Sequence, residues 1–409
     1  MGGGTTLVEG SRLGMQMTGV DLNPVAWFVV KNELACSDPE QVKALFDHIE
    51  AEVKPQIQPF YTTTCPRGHQ GRWIDAETNQ VVDIDPLELS VEERKRYRWE
   101  GPEIIYTFWA KHGPCQAKGC GHRTPIFRSP VVAEKKLSTF LIECTCPACG
   151  EQFDAELGET RMAPGAERIV MESEKPFTEI SQPFAQLLKD YDKDKAQDTI
   201  DRMWKLHDAV HDEPGFRCPV CGAFSGDKFV DTLERHISSK TSQRKKKDFN
   251  IKRKFVQMYL LIHPDWLKGS QGFENGKEFG GYAGAPAEDT AKWYKKRLEN
   301  LSLIEVRGKK LLDEIEFPDN TLMDSKQGTV PKRAHFTCSS CGRENNTLEA
   351  VRSTEHTAPV AAYTYQCHCP QCEAEGYNYG GRYFKSPNAN DIKLLSQSEI
   401  EWEQRSQSD

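Results

Sequence analysis

The chain has 409 residues, 37% of them hydrophobic and 10% aromatic, enough apolar material for about two to four folded domains. A formal net charge of −8 excludes a polycation, so any contact with nucleic acid has to come from local basic patches. The longest apolar runs, Val25–Val30 and Val256–Ile262, are too short to span a bilayer, and no signal-peptide pattern is seen; the expectation is a cytoplasmic protein with no membrane partner and reduced thiols.

Residues 1–58 alternate like an α/β unit. "TTLVEGSRLG" predicts a short helix, "MQMTGVDLN" a strand ending in Asp21, and "PVAWFVVKNEL" a second helix with Pro24 in its first turn. A third helix is expected over "DPEQVKALFDHIEAEVK", with Asp38 as its N-cap. The opening "GGGTT" lets backbone N–H groups approach a ligand closely, and the helix that follows favours an anionic group. Seventeen positions after Gly4, Asp21 is placed to accept hydrogen bonds from two ribose hydroxyls. The order glycine loop, helix, strand, acid predicts a nucleoside-cofactor site in a partial Rossmann-like core; a floppy terminus is the bland alternative.

From 59 to 230 cysteine pairs and short β-prone pieces dominate, as in metal-stapled ribbons. Of fourteen cysteines in the chain, most fall in the groups "CPRGH", "CQAKGC", "CTCPACG", "CPVCG", "CSSCG" and "CHCPQC", and only Cys36 stands apart. In a reducing setting such pairs point to structural zinc rather than to disulfides, since zinc takes four soft or borderline ligands and two knuckles supply two each. Facing knuckles suggest two sets, Cys338 and Cys341 with Cys369 and Cys372, and Cys115 and Cys120 with Cys146 and Cys149; Cys65 and His69 remain with Cys218 and Cys221, and if these pair, their ribbon encloses the second set. About three zinc ions are expected. A lone pair is also compatible with redox chemistry or simple burial, and His69 with a solvated loop histidine. His122 and His368 sit beside knuckles as spare candidates, expected to support a ligand or face solvent, and Cys144 and Cys367 are expected to be bystanders.

Residues 231–330 are expected to be mainly helical and basic, with a glycine-rich loop, "GSQGFENGKEFGGYAGAPAED". "QRKKKDFNIKRKFVQMY" holds Arg244, Lys245, Lys246, Lys247, Lys252, Arg253 and Lys254, with Phe249 and Phe255 between them. Cations for phosphates and rings for stacking suit DNA; a solvated helix face explains the charge equally well. "KWYKKRL" repeats the theme at Lys292, Lys295, Lys296 and Arg297. A last cysteine unit is expected over 331–388, and a polar, exposed tail over 389–409.

"MGGGTTLVEGSRLGMQMTGVDLNPVAWFVVKNEL" resembles the S-adenosylmethionine loop and following acidic strand of amino-directed DNA methyltransferases. "YTTTCPRGH", "FRSPVVAEKK", "FRCPVCG", "HTAPVAAYTYQCHCPQCEAEG" and "GGRYFKSP" resemble one branch, the adenine-specific DNA methylases containing zinc ribbons. The resemblance implies that Gly2, Gly3, Gly4 and Thr5 line S-adenosylmethionine, that Asp21 holds its ribose, and that Leu22 and Asn23 lie beside its adenine. It also implies transfer of a methyl group to the exocyclic amino group of adenine in DNA. The chain departs from that family in two places. No Asp-Pro-Phe precedes the loop, and no Asp-Pro-Pro-Tyr type tetrad follows it, so no catalytic residue is assigned. The expectation is therefore a fragment, or one part of a split enzyme whose second polypeptide carries the catalytic half.

Overall fold

The protein is described here from a computed structural model. The structure describes residues 2–35, 38–118, 120, 122–146, 148–172, 174–180, 182–189, 197–198, 201–202, 205, 217–223, 252–264, 266, 301–317, 320–352, 360–377 and 379–407. Cys36, the glycine-rich loop, Phe249, Lys292, Lys295, Lys296 and Arg297 lie outside the described residues. The chain divides into two units, residues 1–58 with 85–98, and residues 59–84 with 99–409.

The first unit is helical. Its three long elements are α1 (Thr5–Arg12), α2 (Pro24–Glu33) and α3 (Pro39–Ile57), and α4 (Val91–Arg94) is a single turn. Each start has a local cause. Asn23 caps α2 by accepting from Val25 N–H, Asp38 caps α3 by accepting from Glu40 N–H, and Ser90 with Glu93 forms a capping box on α4. Pro24 and Pro39 occupy first-turn positions, where no N–H is needed. Buried Arg94 ties α4 in place, donating from Nε to the Pro86 carbonyl at 2.9 Å.

The strand expected over "MQMTGVDLN" does not form. Residues 15–21 carry no strand assignment, and Met15, Val20 and Leu22 are exposed. The physical reason is that a strand exists only by pairing, and no described strand pairs with this segment. A mixed α/β protein is what the structure shows, and no Rossmann-like sheet is seen among the described residues.

The second unit is built mainly on two sheets, and smaller sheets hold its other short strands. Its principal strands are β1 (Glu103–Pro114), β2 (Arg123–Pro125), β3 (Val131–Thr145), β4 (Gln152–Leu157), β5 (Glu167–Val170), β6 (Phe177–Ile180), β7 (Lys252–Ile262) and β8 (Leu303–Arg307). These are followed by β9 (His335–Thr337), β10 (Glu344–Asn346), β11 (Val360–His368) and β12 (Arg382–Lys385). A six-stranded sheet has the order β5-β8-β7-β3-β4-β6, antiparallel except for the edge pairs β8–β5 and β4–β6. A four-stranded sheet has the order β12-β11-β1-β2, with antiparallel neighbours throughout. β9 and β10 form a separate hairpin. Helices α5 (Gln182–Lys189), α6 (Thr347–Arg352), α7 (Pro370–Ala374) and α8 (Ala389–Ser406) also belong to this unit.

β7 explains much of the packing, and residues 252–262 are strand where a helical segment was expected; most of residues 231–300 lie outside the described residues. Its second half, "VQMYLLI", is apolar on both faces because both are covered. Val256, Met258, Leu260 and Ile262 join Phe127, Leu137, Trp266, Phe384 and Ile392 in one cluster, while Tyr259 and Leu261 join Ile304, Val306, Ile315 and Phe317 in another. The first cluster draws on both sheets and on α8, so it is where they meet. The C-terminal segment is accordingly not a free polar tail. Asn388 and Asp391 form the capping box of α8, and buried Asp391 accepts from Thr63 Oγ1 at 2.6 Å and pairs with Lys385 at 2.7 Å.

Candidate metal centres and the glycine loop

Three of the cysteine groups repeat one local design. In Cys146–Gly150, Cys218–Gly222 and Cys338–Gly342 the glycine is left-handed (φ +78°, +72° and +73°), and its N–H donates to the first cysteine's carbonyl at 2.9 Å. The first cysteine's own N–H bonds forward five residues, to the carbonyl of Glu151, Ala223 or Arg343. A side chain at the glycine would strain that turn, which is why the pattern Cys-x-x-Cys-Gly recurs. The turn aims both sulfurs of a knuckle to the same side, ready for a second knuckle.

Which knuckles meet differs from the expectation. Cys65 and His69 meet Cys369 and Cys372; Cys115 and Cys120 meet Cys338 and Cys341; Cys146 and Cys149 meet Cys218 and Cys221. Neither of the two sets expected from facing knuckles forms, and the remaining Cys65 and His69 do not pair with Cys218 and Cys221. The physical reason is the sheet: antiparallel pairing of β1 with β11 brings the segments around residues 65–120 against those around 338–372. The result is concentric. The innermost group spans about 70 residues, the middle one about 220 and the outermost about 300, from partner separations of 69, 218 and 307.

Within each group the ligand atoms lie within 4.8 Å of one another. Sulfur–sulfur distances are 3.5 Å for Cys65–Cys372, 3.6 Å for Cys115–Cys341, 3.8 Å for Cys120–Cys338, 3.6 Å for Cys146–Cys221 and 3.7 Å for Cys149–Cys218. A tetrahedral ion bonded to sulfur at about 2.3 Å sets its ligands about 3.8 Å apart. The spacings therefore match a bound metal ion, and each group is able to hold one. With four protein ligands each, no position is left for substrate.

The outermost group has supports that the sequence did not reveal. His69 Nδ1 lies 3.2 Å from Cys372 Sγ and 3.4 Å from Cys369 Sγ, while its Nε2 meets Glu375 Oε2 at 3.2 Å. A carboxylate on the far nitrogen fixes the ring and its tautomer. Arg67 reaches Cys372 Sγ at 3.9 Å, pairs with Glu159 at 2.8 Å and covers the Tyr377 ring at 4.0 Å. Hydrogen bonding from the Cys372 thiol pulls Cys65 down to about 5, and the same contact pushes Cys372 up. Burial pushes Cys115 in the middle group up to about 12. Cys144 and the fully buried Cys367 belong to none of the groups. His122 is buried and contributes its carbonyl, accepting from Cys115 N–H at 2.8 Å; His368 bonds Glu373 at 3.0 Å.

In the first unit the glycine loop and the acid do come together. Gly2 N–H donates to Asp21 Oδ2 at 3.0 Å, and Asn23 N–H donates to Asp21 Oδ1 at 2.8 Å. Gly4, left-handed at φ +77°, is the N-cap of α1, and a Cβ there would overlap Val30 Cγ2 of α2. Gly3 and Thr5 are exposed, Leu22 is fully exposed, and the Asn23 side chain is spent on capping α2.

Of the basic run, Arg244, Lys245, Lys246 and Lys247 lie outside the described residues. Lys252, Arg253 and Lys254 stand on β7, where Lys252 pairs with Glu143 at 2.7 Å and Lys254 with Glu174 at 3.7 Å. Among the described residues no helix is long and apolar enough to cross a membrane. Comparison with family models, curated proteins and solved structures returns no match to any of the three.

Proposed function

We propose that this chain is the cofactor-loop and metal-knuckle part of an S-adenosylmethionine-dependent DNA methyltransferase acting on the exocyclic amino group of adenine. One observation carries the reading. Asp21 and the glycine loop, nineteen positions apart, touch through the Gly2 N–H at 3.0 Å. Each carboxylate oxygen has a second lone pair, so Asp21 is able to accept from a ribose diol while keeping its backbone bonds. Gly2, Gly3, Gly4 and Thr5 would line the cofactor, with Leu22 and Asn23 beside its adenine; Gly3, Thr5 and Leu22 are open to receive a ligand. The bound cofactor would supply an electrophilic methyl group. This chain's residues would hold and orient it, and the sequence carries no tetrad to grip the target amine.

Zinc is the ion proposed for all three groups, since four thiolates, or three thiolates and one imidazole, at these spacings are its structural coordination. The second polypeptide carrying the catalytic half has a place to dock. The stripe Val42, Leu45, Phe46, Ile49, Val53 and Ile57 runs along α3 at helical spacing, yet α3 buries none of its residues within this chain. A non-catalytic metal-knuckle protein that binds DNA or a partner is the second reading, favoured by the four-ligand saturation of every metal group.

Calorimetric titration of S-adenosylmethionine into the chain and into Asp21→Ala separates the two. The methyltransferase reading requires binding that the substitution weakens at least tenfold, without methyl transfer by the chain alone. No heat from either protein favours the second reading.

A further inference from the structure

The surface of β7 divides its cations by face. Register places Phe255 opposite Ser138, Arg253 opposite Phe140 and Gln257 opposite Lys136, so these side chains share one side of the sheet. Lys252 and Lys254 point to the other side, where Glu143 and Glu174 neutralise them. On the shared side the Arg253 guanidinium lies 5.2 Å from the Phe255 ring centre and Lys136 Nζ lies 5.1 Å from it. The ring is 53% exposed, Arg253 and Lys136 are exposed, and neither cation forms an ion pair among the described residues. Both cations are drawn to the ring by cation–π attraction, which holds them beside an aromatic surface that stays open to solvent.

We propose that Arg253, Phe255 and Lys136 form a binding site for unpaired nucleotides. The observations select that occupant by chemistry. Two free cations call for an anionic chain, and an open ring between them calls for a flat partner to stack on. A duplex offers phosphates but keeps its base faces inside the stack, whereas an unpaired strand offers both. Four further cations, Arg244, Lys245, Lys246 and Lys247, precede β7 in the sequence. Lys136 has no basic run around it beyond Lys135, so only strand register reveals its part. The site goes beyond the methyltransferase reading and is independent of the glycine loop: a chain that binds oligonucleotides but takes up no S-adenosylmethionine sinks that reading and leaves this one standing.

The test is fluorescence anisotropy on the full, metal-loaded chain with a labelled mixed-sequence oligonucleotide, presented single-stranded and as the duplex. Single strand is expected to bind more tightly than duplex, with steep salt dependence. Phe255→Leu, which keeps an apolar residue on an exposed strand position, should weaken single-strand binding about tenfold and leave duplex binding unchanged. The double change Arg253→Gln with Lys136→Gln should weaken both forms. Lys393→Gln, an exposed lysine of α8 outside the cluster, should change neither, and melting curves confirm that each variant is folded. Equal affinity for the two forms, or single-strand binding indifferent to Phe255→Leu, overturns the proposal. So does an acidic polypeptide such as polyglutamate displacing the oligonucleotide at lower concentration than unlabelled strand, since the surface then serves an acidic protein.

Discussion

Gly4 shows how one residue sets the geometry of the first unit. It is left-handed, it caps α1, and its bare Cα is what lets α1 lie against Val30 of α2. Gly4→Ala is expected to destabilise this unit by about 2 kcal/mol, from left-handed strain and overpacking together. Amide exchange in α1 and α2 should then accelerate; unchanged protection would show that the two helices are not held through this contact. At the metal groups the thiols decide the pH response. Burial raises Cys115 to about 12 from an ordinary 9.0, so in the metal-free fold it stays protonated at neutral pH. A raised folded value contributes stability below 9.0 that is lost as pH climbs toward 12. Metal binding displaces that proton, so the loaded protein weakens in acid instead. Thermal melts with and without chelator should therefore shift in opposite directions with pH, and parallel curves would argue against metal at this group. The eleven cysteines and His69 that come together in the three groups were nameable from the sequence because cysteines spaced a few residues apart stand out locally, three of the six knuckles as Cys-x-x-Cys-Gly. Arg67, Glu375 and Lys136 were not legible, because their roles come only from the tertiary neighbours they meet.

Helices read well from sequence and strands less so. α1, α2 and α3 follow from caps and periodicity, signals a helix carries within itself. The segment 15–21 has a strand's composition but pairs with no described strand, and β7 reads as helix from sequence because its basic start hides a core strand. Alternation fades where both faces are buried, and the decisive fact, pairing with β3 and β8, lies far away in the chain. α3 yields a prediction at this scale. Phe46 is 71% exposed and Leu45 59%, so Phe46→Glu with Leu45→Glu should move stability by no more than about 1 kcal/mol. A loss of several kcal/mol by denaturant melt would mean that the stripe is core of this chain and not a docking face for a second polypeptide.

For the whole molecule, the concentric metal groups set the order of closure. Loop-closure cost grows slowly with length, by about 1 kcal/mol between the innermost and outermost separations of 69 and 307 residues. Once the inner groups are closed, the outer cysteines are already near one another, so metal uptake should proceed from Cys146–Cys221 outward to Cys65–Cys372. Refolding with metal and trapping free thiols by alkylation at intervals checks this; early protection of Cys65 and Cys369 would reverse the order. Chelation should loosen the second unit as a body, since the outermost group ties the start of that unit to the segment ahead of α8.

The pairing of the knuckles is tested most directly by counting metal in double variants by native mass spectrometry. With three groups in the wild-type chain, Cys65→Ala with Cys369→Ala removes two ligands of one group, and two ions should remain. Cys338→Ala with Cys369→Ala strikes two groups, and one ion should remain. The opposite result, one ion in the first variant and two in the second, would mean that neighbouring knuckles pair along the chain and that the concentric arrangement is wrong.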